Sequence, residues 1–293
     1  MAIFCTISTY SHLFKSYALA DSIQQFGGEL KVLLVDSDEV MNVENTPANI
    51  EFHHLGQINF ERIEQTKGAY KKDKLRWALK PAYLLYLLPN YQELIYVDND
   101  VFFYTDFNFL FEELRSSDVL LTPHFYPSSP KREQTWLESN FRLGLYNAGF
   151  VGVNQNAKKA LEWWSDCCLY EIRRSYWRGL FDDQKYLDLL PVLFDNVKII
   201  KNRGCNFAGW SDQQNLLEKE IVFIHFNAFT ISEFKVNSNP HFASFTSYLR
   251  ILKKYNRSFQ FTERQFDNFK IQNTLYYLRW KLARMLKVEK TNT

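Results

Sequence analysis

Two aspartates one residue apart, Asp98 and Asp100, sit between the apolar runs Leu94-Ile95-Tyr96-Val97 and Val101-Phe102-Phe103-Tyr104. Ionised carboxylates are costly in so dry a setting unless something pairs with them. The place that tolerates them is the C-terminal end of a central strand, where open α/β sheets bind their ligands. In an extended segment residues two apart point the same way, so both carboxylates can address one point. Two hard oxygen ligands converging there suit Mg²⁺ or Mn²⁺, and such ions usually also hold a substrate phosphate. His225 follows the apolar run Ile221 to Ile224 and is a candidate third ligand to the metal or the phosphate. The competing account of the pair is a solvated turn.

Other residues could serve the same centre. The segment Thr66 to Leu88 reads as a helix carrying Lys67, Lys71, Lys72, Lys74, Arg76 and Lys80. Either this is a solvated basic face, or Arg76 or Lys80 reaches a diphosphate. Asp182-Asp183-Gln184 is either a helix N-cap or a group that sets Asp183 or Gln184 against the reacting atoms. Asn147 lies in Tyr146 to Asn154, a strand whose Gly149 and Gly152 allow close backbone approach, and its competing reading is a strand-edge residue. Trp210, in a polar loop, could stack on a sugar ring.

The elements that must position these groups alternate in type. Ala2 to Ser8 is a short apolar strand, followed by a helix that Ser11 can cap and Gly27-Gly28 ends. Lys31 to Val35 is a second strand with Asp36 at its C-terminal end, and a third lies near Ile50 to Leu55. Strand, helix, strand predicts a parallel sheet. Further on, the pattern predicts a helix over Phe107 to Leu114, a strand over Val119 to Thr122 and a mobile loop over Pro123 to Arg132. A helix over Ala157 to Tyr176, another opening at Phe181, a strand over Val197 to Ile200 and a last core strand over Ile221 to Ile224 complete the core. The division expected is a core domain over 1–235 and a helical extension over 236–293. The extension ends in a basic amphipathic stretch around Leu275 to Lys287, either docked on the core or lying on an anionic membrane.

Bulk properties narrow the classes. With 46% hydrophobic and 17% aromatic residues over 293 positions, the chain can bury a sizeable core. A formal net charge of +2 is too small to argue for nucleic acid as a partner. Cys5, Cys167, Cys168 and Cys205 form no CxxC pair and no zinc spacing, and read as free thiols in a reducing compartment. A strand from Ala2 leaves no room for a signal peptide, and no apolar stretch approaches a membrane span. The expected location is cytoplasmic, or peripheral on the inner face of a membrane.

In this order the motifs resemble one family: the GT-A fold glycosyltransferases that use nucleotide-diphosphate sugars, especially bacterial galactosyl- and glucosyltransferases related to glycogenin. The resemblance runs from about Ala2 to about Phe229. It rests on Thr6 to Tyr10, the Lys74 to Leu88 helix with its Lys-Pro step, Tyr96-Val97-Asp98-Asn99-Asp100, Tyr146-Asn147-Ala148-Gly149, Asp183-Gln184, Cys205-Asn206-Phe207 and His225-Phe226. It implies a Rossmann-like α/β fold, with a mixed, mostly parallel sheet flanked by helices. It also implies that Asp98 and Asp100 hold the metal, Mn²⁺ or Mg²⁺, or the ribose, with Asp100 the firmer metal ligand, that His225 completes the metal site, and that Asn99 joins Asp98 in binding the nucleotide-sugar. Thr6, Ser8, Tyr10 and Asp36 would line the base and ribose, Lys80 would sit near the donor phosphates, and Asn147, Asp183 and Gln184 would surround the donor sugar. The donor it implies is a UDP-sugar, and the acceptor a glycan or glycolipid of a bacterial surface polysaccharide, with retention of configuration favoured. One feature departs from the family, which often has Lys-Pro-Trp soon after the last histidine. Here the residues are Asn227-Ala228-Phe229, with Lys235 a distant substitute.

Two other functions compete. A sugar-1-phosphate nucleotidyltransferase wants a glycine-rich loop after the first strand to hold a triphosphate, whereas this chain has Ser8-Thr9-Tyr10-Ser11. A non-catalytic binding protein with a decayed site is opposed by the intact Asp98, Asp100 and His225 set.

Overall fold

Strand β1 (Ala2–Ser8) is apolar almost throughout and pairs on both edges. The computed structural model describes residues 2–36, 46–131, 133–212 and 216–260. After β1, helix α1 (Leu13–Gln24) leads through Gly27, which takes a left-handed φ of 80°, into β2 (Gly28–Leu34). Strand β3 (Ile50–His54) precedes helices α2 (Glu61–Ala69) and α3 (Lys72–Leu87). The one long helix expected over 66–88 is thus two, broken where Tyr70 and Lys71 are extended.

Strands β4 (Glu93–Val97) and β5 (Val101–Phe103) flank the Asp98-Asn99-Asp100 turn. Helix α4 (Asn108–Leu114), strand β6 (Val119–Pro123), helix α5 (Gln134–Leu143) and strand β7 (Tyr146–Asn154) follow. Helix α6 (Lys158–Tyr170) ends six residues before the expected Tyr176, giving way to a hairpin of β8 (Arg174–Ser175) and β9 (Leu180–Phe181). Helix α7 (Leu190–Leu193), strands β10 (Val197–Ile199) and β11 (Phe223–His225), and helices α8 (Ala228–Phe234) and α9 (Phe242–Tyr255) complete the described chain.

Seven strands form one sheet in the order β10-β6-β7-β4-β1-β2-β3. The β1, β2, β3 and β4 pairings are parallel, as is β10 with β6, and β7 alone runs antiparallel to its neighbours. The fold is α/β with a mixed, mostly parallel sheet, as the family resemblance implies. Alternation puts Ile3, Cys5, Leu94 and Tyr96 on the face covered by α3 and α6, and Phe4, Ile95 and Val97 on the face covered by α1 and α4. Each large aliphatic side chain buried there contributes about 1.5–3 kcal/mol.

The expected last core strand is not in this sheet. β11 pairs antiparallel with β5 in a separate ladder, with His225 opposite Val101. The apolar run beyond Asp100 therefore leaves β4's path to meet β11, because the turn redirects it. α9 packs through Phe245, Tyr248 and Leu252 on Phe102 and Phe226, so residues on both sides of position 235 share one core. The basic amphipathic stretch near Leu275 lies outside the described residues. No helix among the described residues is long and apolar enough to cross a membrane.

Candidate functional site

The carboxylates sit where β4 stops. Asp98 N–H donates to the Gly149 carbonyl at 3.0 Å, tying the turn to β7. Because Tyr96 and Asp98 are two apart, they share the α3 face, and the Tyr96 hydroxyl donates to Asp98 Oδ1 at 2.8 Å. Phe226 N–H donates to the Asp100 carbonyl at 2.8 Å, which locks the β11 exit against the turn. His225 Nε2 then lies 3.1 Å from Asp100 Oδ1 and 3.8 Å from Asp98 Oδ2. One ligand atom from each of the three residues falls within 4.8 Å of the others.

Packing enforces this approach. A Cβ added at Gly149 would meet His225 Cε1 at 2.5 Å and Asn147 Oδ1 at 2.6 Å, so the glycine is what lets the imidazole lie against β7. Asn147 is buried and its Oδ1 accepts from Gly149 N–H at 2.7 Å, which fixes the same stretch of backbone. Burial disfavours a charged His225, but Asp100 and Asp98 overcome this and raise its pKa. Burial likewise opposes ionisation of Asp100, and the imidazole and Lys15, at 3.9 Å, reverse it to leave the carboxyl well below its ordinary value. The donor set of two carboxylates and an imidazole, whose Nε2 faces both carboxylates, fits a divalent ion such as Mn²⁺.

Lys80 is the hub of the neighbouring charge network. Its ammonium, almost fully buried, lies 3.1 Å from Asp98 Oδ1 and 3.2 Å from Asp183 Oδ2, and donates to the Ala148 carbonyl at 3.0 Å. Burial would depress its pKa, yet Asp183 and Asp98 hold it above the ordinary value. Burial pushes the Asp183 carboxyl up to about 6 against the pull of Lys80. Lys80 therefore bridges the Asp98, Asp100 and His225 cluster and Asp183. Gln184 is held by a 2.8 Å bond from its amide to the Leu143 carbonyl.

Two clefts meet at Trp77, Lys80, Asp98 and Asp100. The smaller, about 160 Å³, extends to Arg76 and Asn99. The larger, about 370 Å³, takes in Asn147, Asp183, Gln184 and His225. The structure thus brings together Lys80, Asp98, Asn99, Asp100, Asn147, Asp183, Gln184 and His225. Ser8 joins indirectly, its Oγ accepting from Asn99 Nδ2 at 3.0 Å. Thr6 is buried inside β1 and lines neither cleft. Tyr10 and Asp36 bind each other, N–H to Oδ1 at 2.8 Å, and also line neither. Nor does Lys235; Asn227 instead caps α8, its Oδ1 accepting from Thr230 N–H at 2.9 Å.

The larger cleft is also lined by His124 and Tyr126, from the Pro123 to Arg132 loop expected beside the site, by Phe229 just after His225, and by Trp77, Trp136 and Arg174, which no motif in the sequence marks. Most are aromatic, and their spacing alone does not separate cleft wall from core. His124 stacks on Tyr126 at 4.6 Å, Tyr126 on Trp136 at 5.3 Å, and Trp136 meets Phe229 edge-on at 5.7 Å. Burial keeps His124 neutral, its pKa lowered to about 3. Trp210 packs edge-on against His225 at 5.9 Å, placing the loop tryptophan beside the cluster.

No protein-family model matches the chain. It is 28% identical over 254 residues to the uncharacterised protein YfnF of Bacillus subtilis (strain 168), covering 78% of this chain and 82% of that one. It is also 28% identical over 251 residues to YfnD of the same organism, covering 78% of each. Among solved structures it superposes on the galactosyltransferase LgtC, determined with donor and acceptor sugar analogues. The TM-score is 0.57 and the identity 12%, over 89% of this chain and 98% of that one. The chain has the GT-A fold. It is also similar to the glycosyltransferase GlyE of Streptococcus pneumoniae TIGR4, with TM-score 0.52 and 14% identity over 87% of this chain and 62% of that one.

Proposed function

We propose that the chain is a metal-dependent glycosyltransferase. It moves a hexose from a nucleotide-diphosphate sugar, a UDP-sugar by resemblance, to a hydroxyl of a glycan or glycolipid in bacterial surface polysaccharide synthesis. The observation that carries this reading is the convergence of Asp98, Asp100 and His225 at the C-terminal end of the central strand of a GT-A fold. The likeness to LgtC, a galactosyltransferase, and GlyE, a glycosyltransferase, supports the same class.

The residues divide the chemistry between them. Asp98, Asp100 and His225 would hold Mn²⁺ or Mg²⁺, and the bound ion would neutralise charge on the departing diphosphate. Arg76, lining the smaller cleft, and Lys15, beside Asp100, are the cations on hand for the phosphates in place of the lysine missing after His225. Asp183, ionised above about pH 6 and steadied by Lys80, faces the cleft where positive character develops on the sugar. Asn147 and Gln184 flank the same space. In transfer with retention, the bond from the anomeric carbon to phosphate breaks, the bond to the acceptor oxygen forms on the same face, and the hydroxyl proton passes to the leaving phosphate. The nucleotidyltransferase alternative gains nothing from the structure, since Thr9 to His12 form a short helical turn without glycine. The test is release of UDP from a panel of UDP-sugars in Mn²⁺. One donor should be turned over, and Asp183→Asn should stop it; a panel with no turnover refutes the proposal.

A further inference from the structure

The donor chemistry leaves two features unused: the exposed basic start of α3 and the β8–β9 hairpin. The hairpin brings Arg174 opposite Phe181 in register. Its guanidinium carbon lies 5.0 Å from the Trp77 ring centroid and 5.0 Å from that of Phe181, a cation held between two aromatic rings. Nε donates to Asp182 Oδ2 at 2.6 Å. Asp182 is 6% exposed and takes a left-handed φ of 50°, a conformation that costs a non-glycine residue energy. That turn sends Asp182 back to Arg174 while its neighbour Asp183 meets Lys80.

Among the described residues this is the guanidinium's one hydrogen bond, although five N–H groups are available. The side chain remains 56% exposed and lines the larger cleft beside Asp183 and Gln184. Stacking and the buried carboxylate fix the fork in place, so little rotamer entropy is left to lose on binding. Such a fork matches phosphate or carboxylate oxygens two at a time. Lys74 on α3 acts electrostatically on the same Asp182, and Lys71 and Lys72 stand exposed nearby in sequence. Lys74 thus adds positive potential beside the hairpin.

We propose that Arg174 forms an anion subsite beside the transfer centre, and that the acceptor carries a phosphate or carboxylate group that this fork binds. The proposal rests on the glycosyltransferase reading above. An acidic glycan and the phosphate of a lipid carrier present the same oxygens, and the probes below separate the two sources.

The test is titration followed by NMR, with UDP and Mn²⁺ saturating so that the carboxylate cluster is already filled. The probes are methyl glucopyranoside, methyl glucuronopyranoside, methyl glucopyranoside 6-phosphate and farnesyl phosphate. At least one anionic probe should bind about 10-fold tighter than the neutral glycoside or better. Arg174→Gln should erase that advantage, and Arg174→Lys should keep part of it while losing the fork. Thermal melting checks that both variants fold. An advantage confined to the glucuronide or sugar phosphate assigns the anion to the glycan, and one confined to farnesyl phosphate assigns it to the lipid. Equal binding of all four probes, or an advantage that survives Arg174→Gln, overturns the subsite. Its failure is separate from that of the functional reading, which is tested by turnover of UDP-sugars and by the metal dependence of UDP binding.

Discussion

Replacing Lys80 by methionine tests the charge network most severely. The ammonium is buried against Asp98 and Asp183 and satisfies the Ala148 carbonyl. Methionine fills similar volume but removes the cation. Breaking a buried pair by deleting one partner costs about 3–5 kcal/mol, because the other charge stays behind. Asp98 is partly exposed, so water screens its share and Asp183 carries most of the loss. The cost should therefore depend on pH. With Lys80 in place the folded pKa of Asp183 is raised to about 6 from the ordinary 3.8, and removing the ammonium that pulls it down raises it further. A carboxyl with a raised folded pKa loses stability as pH rises from the ordinary 3.8 to the folded value, and removing Lys80 carries that fall above about pH 6, so the loss is larger at alkaline pH. Lys80→Met should lose about 3–5 kcal/mol at about pH 8 by urea unfolding. At about pH 5 the loss should fall to about 1–3 kcal/mol, the cost of an unsatisfied carbonyl. Adding Asp183→Asn should restore part of the loss at the higher pH. A loss under about 1 kcal/mol at pH 8, or one that grows on acidification, refutes the reasoning.

Three other outcomes follow from the geometry. The rate of sugar transfer should fall below an apparent pKa of about 6 as Asp183 protonates, and a pH–rate profile flat to about pH 4.5 contradicts its assigned role. Asp183→Asn should lower turnover by about 100-fold or more while leaving Mn²⁺-dependent UDP binding intact, measured by single-turnover kinetics and calorimetry. Gly149→Ala should push His225 off β7, costing about 1–3 kcal/mol of stability and weakening UDP binding in Mn²⁺; an unchanged Kd shows that the close approach is not needed.

Much of this was legible in the residues themselves. The dry runs around Asp98 and Asp100 marked a strand end, and β7 matches its expected limits because nine consecutive residues suit a buried strand. His225 was found because it follows an apolar run, although that run pairs with β5 outside the main sheet. The departure of β5 was not legible, since Val101-Phe102-Phe103 reads as a continuation of β4. The hairpin at Arg174 was hidden for a similar reason. Its strands are two residues each, and Arg173 to Trp177 continues a helical pattern that breaks only in the tertiary context. The nucleotide contacts expected of Thr6, Tyr10 and Asp36 came from resemblance alone, and these side chains stand off the two clefts. Lys80 was read as a phosphate contact; its buried place between two carboxylates depends on how α3 crosses β4 and β7, which no local pattern encodes.

The central claim is that Asp98, Asp100 and His225 form a divalent-metal site that receives a nucleoside diphosphate. Thermal unfolding with UDP, in Mn²⁺ and in EDTA, tests it most directly. UDP should raise the Tm of the native chain by several degrees in Mn²⁺ and leave it unchanged in EDTA, and Asp100→Ala should abolish the rise. Equal stabilisation by UDP in EDTA, or a full rise in Asp100→Ala, would contradict the account.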